Sequence, residues 1–398
     1  MTASRVGVLG AGTMGAGIAQ VAALGGFETR LYDAFAGAAE KGAGRVHEAL
    51  AKGAARGRWS EADAAAATER VRPVTALDEL AGCELLIEAA PEDLELKREL
   101  FRAVAAVCGP EAVLASNTSS LRISEIAVGV PHPERVLGMH FFNPPALMKL
   151  VEVVAGELSS EHALALSTEV GQAMGRTPIR AKDSPGFVAN RLARPFSLES
   201  LRMLEDGVAG VATIDRVVRL GGGFRMGPFE LLDLIGLDVN LTIARSFFAQ
   251  GGEPERWRPS PIQERLVAEG KLGRKSGQGY YSYDEVGVRE PDPELRISAP
   301  TLDPDDLTEI DPAGPEILPR LFAQIANEAA FALEEEIASP EDMDTAMELG
   351  FNWPAGPIAL TELIGAPRAV ELLEALERER GAAYAPAPRL RRNISSSG

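Results

Sequence analysis

Residues 5–33 read RVGVLGAGTMGAGIAQVAALGGFETRLYD. The first five, RVGVL, are the short apolar run of a buried strand. They feed directly into a glycine-rich turn and then a helical stretch. ETRLYD reads as a second strand that ends in Asp33. Gly10, Gly12 and Gly15 therefore form a GxGxxG pattern in the strand–turn–helix setting that gives the pattern a mechanism. The first glycine permits the tight turn, the second lets backbone approach a pyrophosphate, and the third allows close helix–strand packing. The phosphates would face the helix N-terminus. Asp33 stands where a carboxylate accepts the adenosine ribose hydroxyls, and its charge repels a 2′-phosphate, which favours NAD over NADP. Gly10, Gly12, Thr13, Met14, Gly15 and Asp33 are the cofactor-binding candidates. A glycine-rich turn used only for packing is the competing reading.

The alternation continues outward. A long helical stretch covers roughly residues 35–57, and strands are expected near 71–74, 84–89, 112–116 and 135–141. Helices near 93–107 and 121–128 separate some of them. This is the pattern of an α/β, Rossmann-type doubly wound parallel sheet with helices on both faces. Residues 148–154 read as its last strand, joined to the strand carrying His140 by the loop NPPALM. After SPGFVANR (184–191) the pattern becomes purely helical to about residue 270. Residues 284–315 are rich in Asp, Glu and Pro and read as an acidic linker. Helices resume at 316, and residues 383–398 read as a disordered tail. The expected organisation is a nucleotide-binding domain over 1–183, a helical domain over 184–283, the linker, a second helical domain over 316–382 and the tail.

The two helical domains are copies. MLEDGVAGVATIDRVVRLGGGFRMGPFELLDLIG (203–236) aligns without gaps on ALEEEIASPEDMDTAMELGFNWPAGPIALTELIG (332–365) at a constant shift of 129 residues. Asp215 then meets Asp344, and Gly227–Pro228 meets Gly356–Pro357. A gapless match of this length points to duplication of one helical unit. Asn190 falls on Pro319, so its chemistry is not copied and the second unit reads as structural.

The chain has 398 residues, enough for two or three domains, and a net charge of −18. That charge argues against nucleic acid or an anionic membrane as partner. An acidic protein that binds a polyanionic ligand needs a local basic patch. The two cysteines, Cys83 and Cys108, belong to no CxxC or Cys/His cluster. No metal site is implied, and ordinary, partly buried thiols of a reducing cytoplasm are expected. MTASRVGVLGAG lacks the charged segment and apolar core of a signal peptide, and no apolar run reaches the ~18–20 residues of a membrane span.

Two ionisable groups stand out among apolar residues: His140 in VLGMHFF and Glu152 in LVEVV. Burying either alone is costly. A satisfied core histidine and a coincidental carboxylate are the plain alternative. SNTSSL (116–121), GMHFFNP (138–144), LVEVV (150–154) and SPGFVANR occur in the order and spacing of the L-3-hydroxyacyl-CoA dehydrogenases, which the chain resembles over about residues 4–283. The second helical unit resembles the duplicated C-terminal domain of longer members and of the multifunctional fatty-oxidation proteins, whose hydratase domain is missing here. The resemblance implies NAD-dependent oxidation of an L-3-hydroxyacyl-CoA to a 3-ketoacyl-CoA, in fatty-acid or related acyl-CoA metabolism.

Carried over residue by residue, the resemblance makes His140 the general base, oriented by Glu152. It makes Ser119 a contact of substrate and nicotinamide, and Asn190 a residue beside the reacting hydroxyl and thioester carbonyl. Asn143, Glu92 and Lys97 match positions lining the nicotinamide side of the cofactor, and Lys275 in GRKSGQG (273–279) is a further cofactor candidate. A helix cap for Ser119 and solvated helix or turn positions for Glu92, Lys97 and Lys275 are the alternatives. The other histidines, His47, His132 and His162, read as solvated. The basic patch is sought in KGAARGRW (52–59), with Lys52, Arg56 and Arg58, and with Lys41 and Arg45 one face earlier. Family members hold the CoA nucleotide with this segment, so Lys52 and Arg56 are the CoA candidates. Members often carry lysine at Arg56 and serine at Ala49, but arginine binds phosphate bidentately. A solvated basic helix face is the alternative. In shorter members the helical domain dimerises. The second copy is therefore expected to pack on the first as a dimer partner within one chain, while a homodimer of whole chains stays open. A dehydrogenase of free hydroxy acids or sugar acids, and a non-catalytic NAD-binding structural protein, are the competing functions.

Overall fold

The computed structural model describes residues 3–283 and 299–395. They form two compact units that divide between Phe187 and Val188.

In the first unit, β1 (Arg5–Leu9), α1 (Thr13–Leu24) and β2 (Glu28–Tyr32) follow the expected order. Then come α2 (Ala38–Ala55), α3 (Glu61–Arg70), β3 (Val71–Val74), β4 (Leu85–Glu88), α4 (Leu94–Val107), β5 (Val113–Ser116), a single turn α5 (Ile123–Ile126) and β6 (Val136–Phe141). The unit closes with β7 (Leu150–Ala155), α6 (Glu161–Ala173) and β8 (Thr177–Lys182). One sheet runs in the order β3-β2-β1-β4-β5-β6-β7-β8. All neighbours are parallel except β6 and β7, which the loop 142–149 joins as an antiparallel pair. The sheet therefore goes one strand beyond the expected last one. β8 is an edge strand with a mixed sequence, TPIRAK, and it pairs in parallel with β7. Both edges carry a proline, Pro73 and Pro178, as edges allow. α3 was also not expected. Its sequence is polar, and Ser60 with Asp63 closes a capping box at its start.

The central strands are buried on both faces. Val6, Val8, Leu31, Leu85, Ile87, Val113, Leu137, Met139, Val151 and Val153 are all fully buried. Each such side chain contributes ~1.5–3 kcal/mol. Cys83 and Cys108 are buried, unbridged thiols, and burial pushes the Cys83 thiol up to about 12. His132 and His162 are exposed, but His47 is half-buried with its Nε2 enclosed, so it is not the solvated residue expected.

The second unit is helical: α7 (Ala189–Leu192), α8 (Arg194–Glu205), α9 (Val211–Leu220), α10 (Pro228–Ile235), α11 (Leu237–Gln250) and α12 (Pro261–Ala268). After them come α13 (Pro304–Ile310), α14 (Gly314–Glu334), α15 (Pro340–Phe351), α16 (Pro357–Ile364), α17 (Ala366–Arg380) and α18 (Pro388–Ser395). Residues 284–298 of the expected linker lie outside the described residues. The rest of it is not plain linker: Asp303 caps α13 through the amides of Asp305 and Asp306, Pro304 fills its first position, and Leu307 is buried. The expected tail is likewise structured as far as residue 395. Tyr384, Ala387 and Leu390 are 0–2 % exposed, and Asn327 bonds the backbone at Ala385 and Ala387. A few well-spaced apolar groups anchor a segment whose composition reads as polar.

Duplication is visible in hydrogen bonds as well as in helices. Asp215 accepts from the amides of Phe229 and Glu230, and Asp344, 129 residues on, accepts from Ile358 and Ala359. Each carboxylate caps the helix behind a Gly-Pro pair, where a Cβ on Gly227 or Gly356 would strike it.

The copies meet about a pseudo-twofold axis. Arg191 bonds Glu328 at 2.8 Å and Glu335 at 2.6 Å. Its equivalent Arg320 bonds Glu199, the equivalent of Glu328, and Asp206 at 2.6 Å, the equivalent of Glu335. Phe224 stacks edge-on against its own equivalent, Trp353, with centroids 5.3 Å apart. Reciprocal pairing of i with j and of j with i is the signature of an isologous interface. Here one chain supplies both halves.

Candidate active site

The sheet's C-terminal edge, where open α/β sheets bind ligands, carries most of the candidate residues of the first unit. Gly10 follows β1 with φ +96°, and a Cβ there would lie 2.7 Å from the Ala89 carbonyl oxygen. A Cβ on Gly15 would overlap the Gly10 carbonyl oxygen at 1.7 Å. Gly12 differs, because no atom lies within 4 Å of where its Cβ would stand. Gly12 also caps α1 without any side-chain bond, so the first amides of Thr13 and Met14's turn remain for a ligand. Asp33, at the end of β2, accepts from Ala11 N at 2.7 Å and Phe35 N at 3.0 Å. Arg45 donates to the Ala11 carbonyl, so it steadies this loop from behind. The tight first and third glycines, the open second one and the acid beside them fit a dinucleotide.

His140 and Glu152 meet in the structure. β6 and β7 pair with His140 directly opposite Glu152, and Glu152 Oε2 lies 2.5 Å from His140 Nδ1. Glu152 is fully buried, and His140 is 6 % exposed. The carboxylate accepts from Nδ1–H, which assigns the tautomer and leaves Nε2 as a lone-pair base. Phe142 and Phe187 flank the imidazole, with centroids at 4.6 and 5.9 Å. Strand register, a rigid device, thus sets the geometry of the pair.

Behind the serine loop lies a network that sequence reasoning missed in part. Glu88, at the end of β4, is fully buried and accepts from Lys97 Nζ, Ser116 Oγ and Ala90 N, each at 2.6 Å. Lys97 is 1 % exposed and also meets Glu92 at 3.4 Å. Glu92 in turn accepts from Thr118 Oγ1 at 2.6 Å, from the amides of Ser119 and Ser120 at 3.1 Å, and from Ser120 Oγ at 2.9 Å. Burial pushes the Glu92 carboxyl up, but the Thr118 hydroxyl, Lys97 and Ser120 outweigh it and hold the carboxyl below its ordinary value. The Asn117 side chain accepts from Phe141 N at 2.8 Å and ties this loop to the strand of His140. Ser119 is left exposed at the loop's tip, and Asn143 is exposed just beyond β6. Glu88 was legible by the same sign as Glu152, a carboxylate in an apolar run, ELLIE.

The structure brings together His140 with Glu152, Glu92 with Lys97 and Ser119, and the three glycines with Asp33. Lys52 and Arg56 stand exposed at the C-terminal end of α2. The Lys52–Glu48 pair, 3.4 Å apart and mostly exposed, is worth ~0.3–0.5 kcal/mol and leaves Lys52 easy to recruit. Asn190 and Lys275 belong to the second unit. Asn190 is half-buried on α7, and Lys275 Nζ lies 2.6 Å from Asp238. Among the described residues no group of His, Cys, Asp or Glu is arranged to hold a metal ion, and no helix is long and apolar enough to cross a membrane.

Comparison with known proteins bears directly on this geometry. The model of the 3-hydroxyacyl-CoA dehydrogenase NAD binding domain matches residues 5–184, and that of the C-terminal domain of the same family matches 186–283 and again 317–397. The chain is 37% identical to a 3-hydroxyadipyl-CoA dehydrogenase of Escherichia coli, covering 99% of this chain and 98% of that protein. It is 37% identical to a 3-hydroxybutyryl-CoA dehydrogenase of Clostridioides difficile, covering 71% of this chain and all of the other. Among solved structures, that of a 3-hydroxybutyryl-CoA dehydrogenase from Escherichia coli K12 superposes with a TM-score of 0.89 at 35% identity, covering 100% of this chain and 99% of that one.

Proposed function

Because the chain belongs to the 3-hydroxyacyl-CoA dehydrogenase family, we propose that it oxidises an L-3-hydroxyacyl-CoA at C3, with His140 as the base. The observation that carries this reading is the buried His140–Glu152 pair on facing strands. NAD is the cofactor and supplies the hydride acceptor. Gly10, Gly12, Thr13, Met14, Gly15 and Asp33 hold its adenosine and pyrophosphate part, and Glu92 and Asn143 line the nicotinamide side. Lys97 acts through Glu92, since its own ammonium is enclosed. His140 Nε2 takes the C3 hydroxyl proton, and Glu152 stabilises the imidazolium that results. Ser119 and Asn190 hold the substrate oxygens, so that the reacting carbon is positioned rather than merely bound. Lys275, held by Asp238, is assigned a place on the cofactor side from its turn.

The names of the relatives divide over the acyl group, one being dicarboxylic and the others short and apolar at the far end. The CoA nucleotide is assigned to Lys52 and Arg56. Charge reversal, Arg56→Glu, is expected to raise KM for acyl-CoA by about tenfold or more and to leave KM for NAD within twofold, since ionic contacts to phosphate are charge-assisted. Steady-state kinetics on both substrates checks this. An equal rise in both constants would remove the CoA assignment and favour a dehydrogenase of free hydroxy acids. The pseudo-twofold contact supports a second role for the duplicated unit, which takes the place of a dimer partner.

A further inference from the structure

Three ionisable groups form a chain of contacts behind the serine loop of the first unit. Glu88 and Lys97 are buried, and Glu92 is exposed. Lys97 Nζ stands between the two acids, 2.6 Å from Glu88 Oε1 and 3.4 Å from Glu92 Oε2. Glu88 also meets Ser116 Oγ and Ala90 N, so the three groups at its oxygens all act as donors, which suits an ionised carboxylate. Burial opposes ionisation of Glu92, but Thr118, Lys97 and Ser120 keep its carboxyl below its ordinary value. Two carboxylates and one ammonium leave this cluster one negative charge in excess. Glu88 neutralises Lys97 inside the fold, and the acid left over is the exposed one.

The cluster adjoins the glycine turn. Glu88 lies opposite Leu9 on β1, and a Cβ on Gly10 would lie 2.7 Å from the Ala89 carbonyl oxygen and 3.1 Å from Ala90 N. Ala90 links the two features, since its amide donates to Glu88 and its carbonyl accepts from Lys97 at 3.3 Å. In sheet order Asp33 ends β2, the glycine turn ends β1, and the cluster bridges the ends of β4 and β5. A dinucleotide whose adenosine ribose meets Asp33 and whose pyrophosphate meets the glycine turn extends its other half over β4 and β5, across the point where the strand order reverses. That half carries the nicotinamide ring, which is a cation in NAD and neutral in NADH. Reduction of the cofactor therefore removes one positive charge beside a cluster whose own charge is set by these three side chains. A unit charge ~10 Å away, across an effective dielectric constant of about 20, changes an equilibrium by roughly tenfold.

We infer that Glu88 is a positioning residue that acts through charge: by neutralising Lys97 it leaves the Glu92 carboxylate uncompensated, and so tightens the binding of oxidised relative to reduced cofactor. This rests on the reading that Glu92 lines the nicotinamide side. The test titrates the full-length protein calorimetrically with NAD and with NADH, and reads the ratio of Kd for NADH to Kd for NAD. Glu88→Gln keeps the size of the side chain but lets Lys97 cancel Glu92, so the ratio is expected to fall roughly tenfold. Glu92→Gln, a change at an exposed position, is expected to lower it at least as far. Glu88→Gln combined with Lys97→Met removes both buried charges together, the less disruptive route. It leaves Glu92 uncompensated again, so its ratio is expected at or above the wild-type value. A role for Glu88 in loop packing alone gives a different pattern, in which both dissociation constants rise together and the ratio stays put. A ratio within about twofold of wild type in Glu88→Gln, beside a clear fall in Glu92→Gln, would overturn the inference and leave Glu92 at the nicotinamide. Should Glu88→Gln fail to fold, a ratio below wild type in the double variant would overturn it as well. An unchanged ratio in Glu92→Gln would remove Glu92 from the nicotinamide side, and the inference with it.

Discussion

His140→Ala is expected to lower kcat by ~10²–10⁴-fold while the Kd for NAD stays within about twofold. The two halves of the expectation come from different strands. The proposed base, His140, is held on β6 by a 2.5 Å contact with Glu152 on β7, whereas the glycine turn and Asp33 stand at the ends of β1 and β2. Removing the imidazole therefore takes away the proton acceptor without touching the groups that hold the adenosine and pyrophosphate. Glu152 loses its imidazole partner in that variant, and the stability cost is expected to be ~1–3 kcal/mol, as for other buried polar groups left unmatched. Glu152→Gln should keep an imidazole in place but lose its fixed tautomer, so its turnover is expected to fall between wild type and His140→Ala. Steady-state kinetics and calorimetric titration with NAD separate the two effects. Near-normal turnover in His140→Ala would remove the residue from the chemistry.

Arg320→Met is expected to cost ~3–5 kcal/mol of stability, the range for breaking a buried ion pair from one side. Glu199 is fully buried and bonds Arg320, and Asp206 bonds it at 2.6 Å. The Tyr384 hydroxyl lies 2.5 Å from the same guanidinium. Removal of the arginine leaves Glu199 in an apolar setting without its main counter-charge. The double variant Arg320→Met with Glu199→Leu should recover much of the loss, because it removes both charges together. Denaturant unfolding of the single and double variants gives the coupling directly. A loss below ~1 kcal/mol would rank this contact with exposed surface pairs and would weaken the view that the second copy serves as a built-in partner.

How far this molecule could be read from its sequence depends on whether a signal is local. The glycine turn and Asp33 were legible because one strand–turn–helix–strand unit contains the whole motif. His140 and Glu152 were legible as a pair through the family resemblance carried by GMHFFNP and LVEVV, while the antiparallel register that sets them opposite each other is visible only in the fold. Glu88 carried the same sign but was passed over, since its partners Lys97 and Ser116 come from two other elements. β8 was missed for a different reason. An edge strand needs only half its residues apolar, and TPIRAK shows neither clean alternation nor a continuous apolar run. The end of the chain misled through composition: Tyr384 and Leu390 anchor a segment whose remaining residues are small, charged or proline. Arg194 looks like any helical arginine. Only the lack, among the described residues, of a hydrogen-bond partner for its Nε and Nη1, set beside the ion-paired Arg191 and Arg320, makes it distinctive.

The most direct measurement is NADH formation from L-3-hydroxybutyryl-CoA, run beside the D isomer and free 3-hydroxybutyrate. Turnover confined to the L-thioester is the expected result, because the proposed roles hold the hydroxyl at His140, the C3 hydrogen toward the nicotinamide and the CoA nucleotide at Lys52 and Arg56. Turnover of the free acid at a comparable rate, or of the D isomer in preference, would contradict the assignment of His140 and of the CoA-binding helix together.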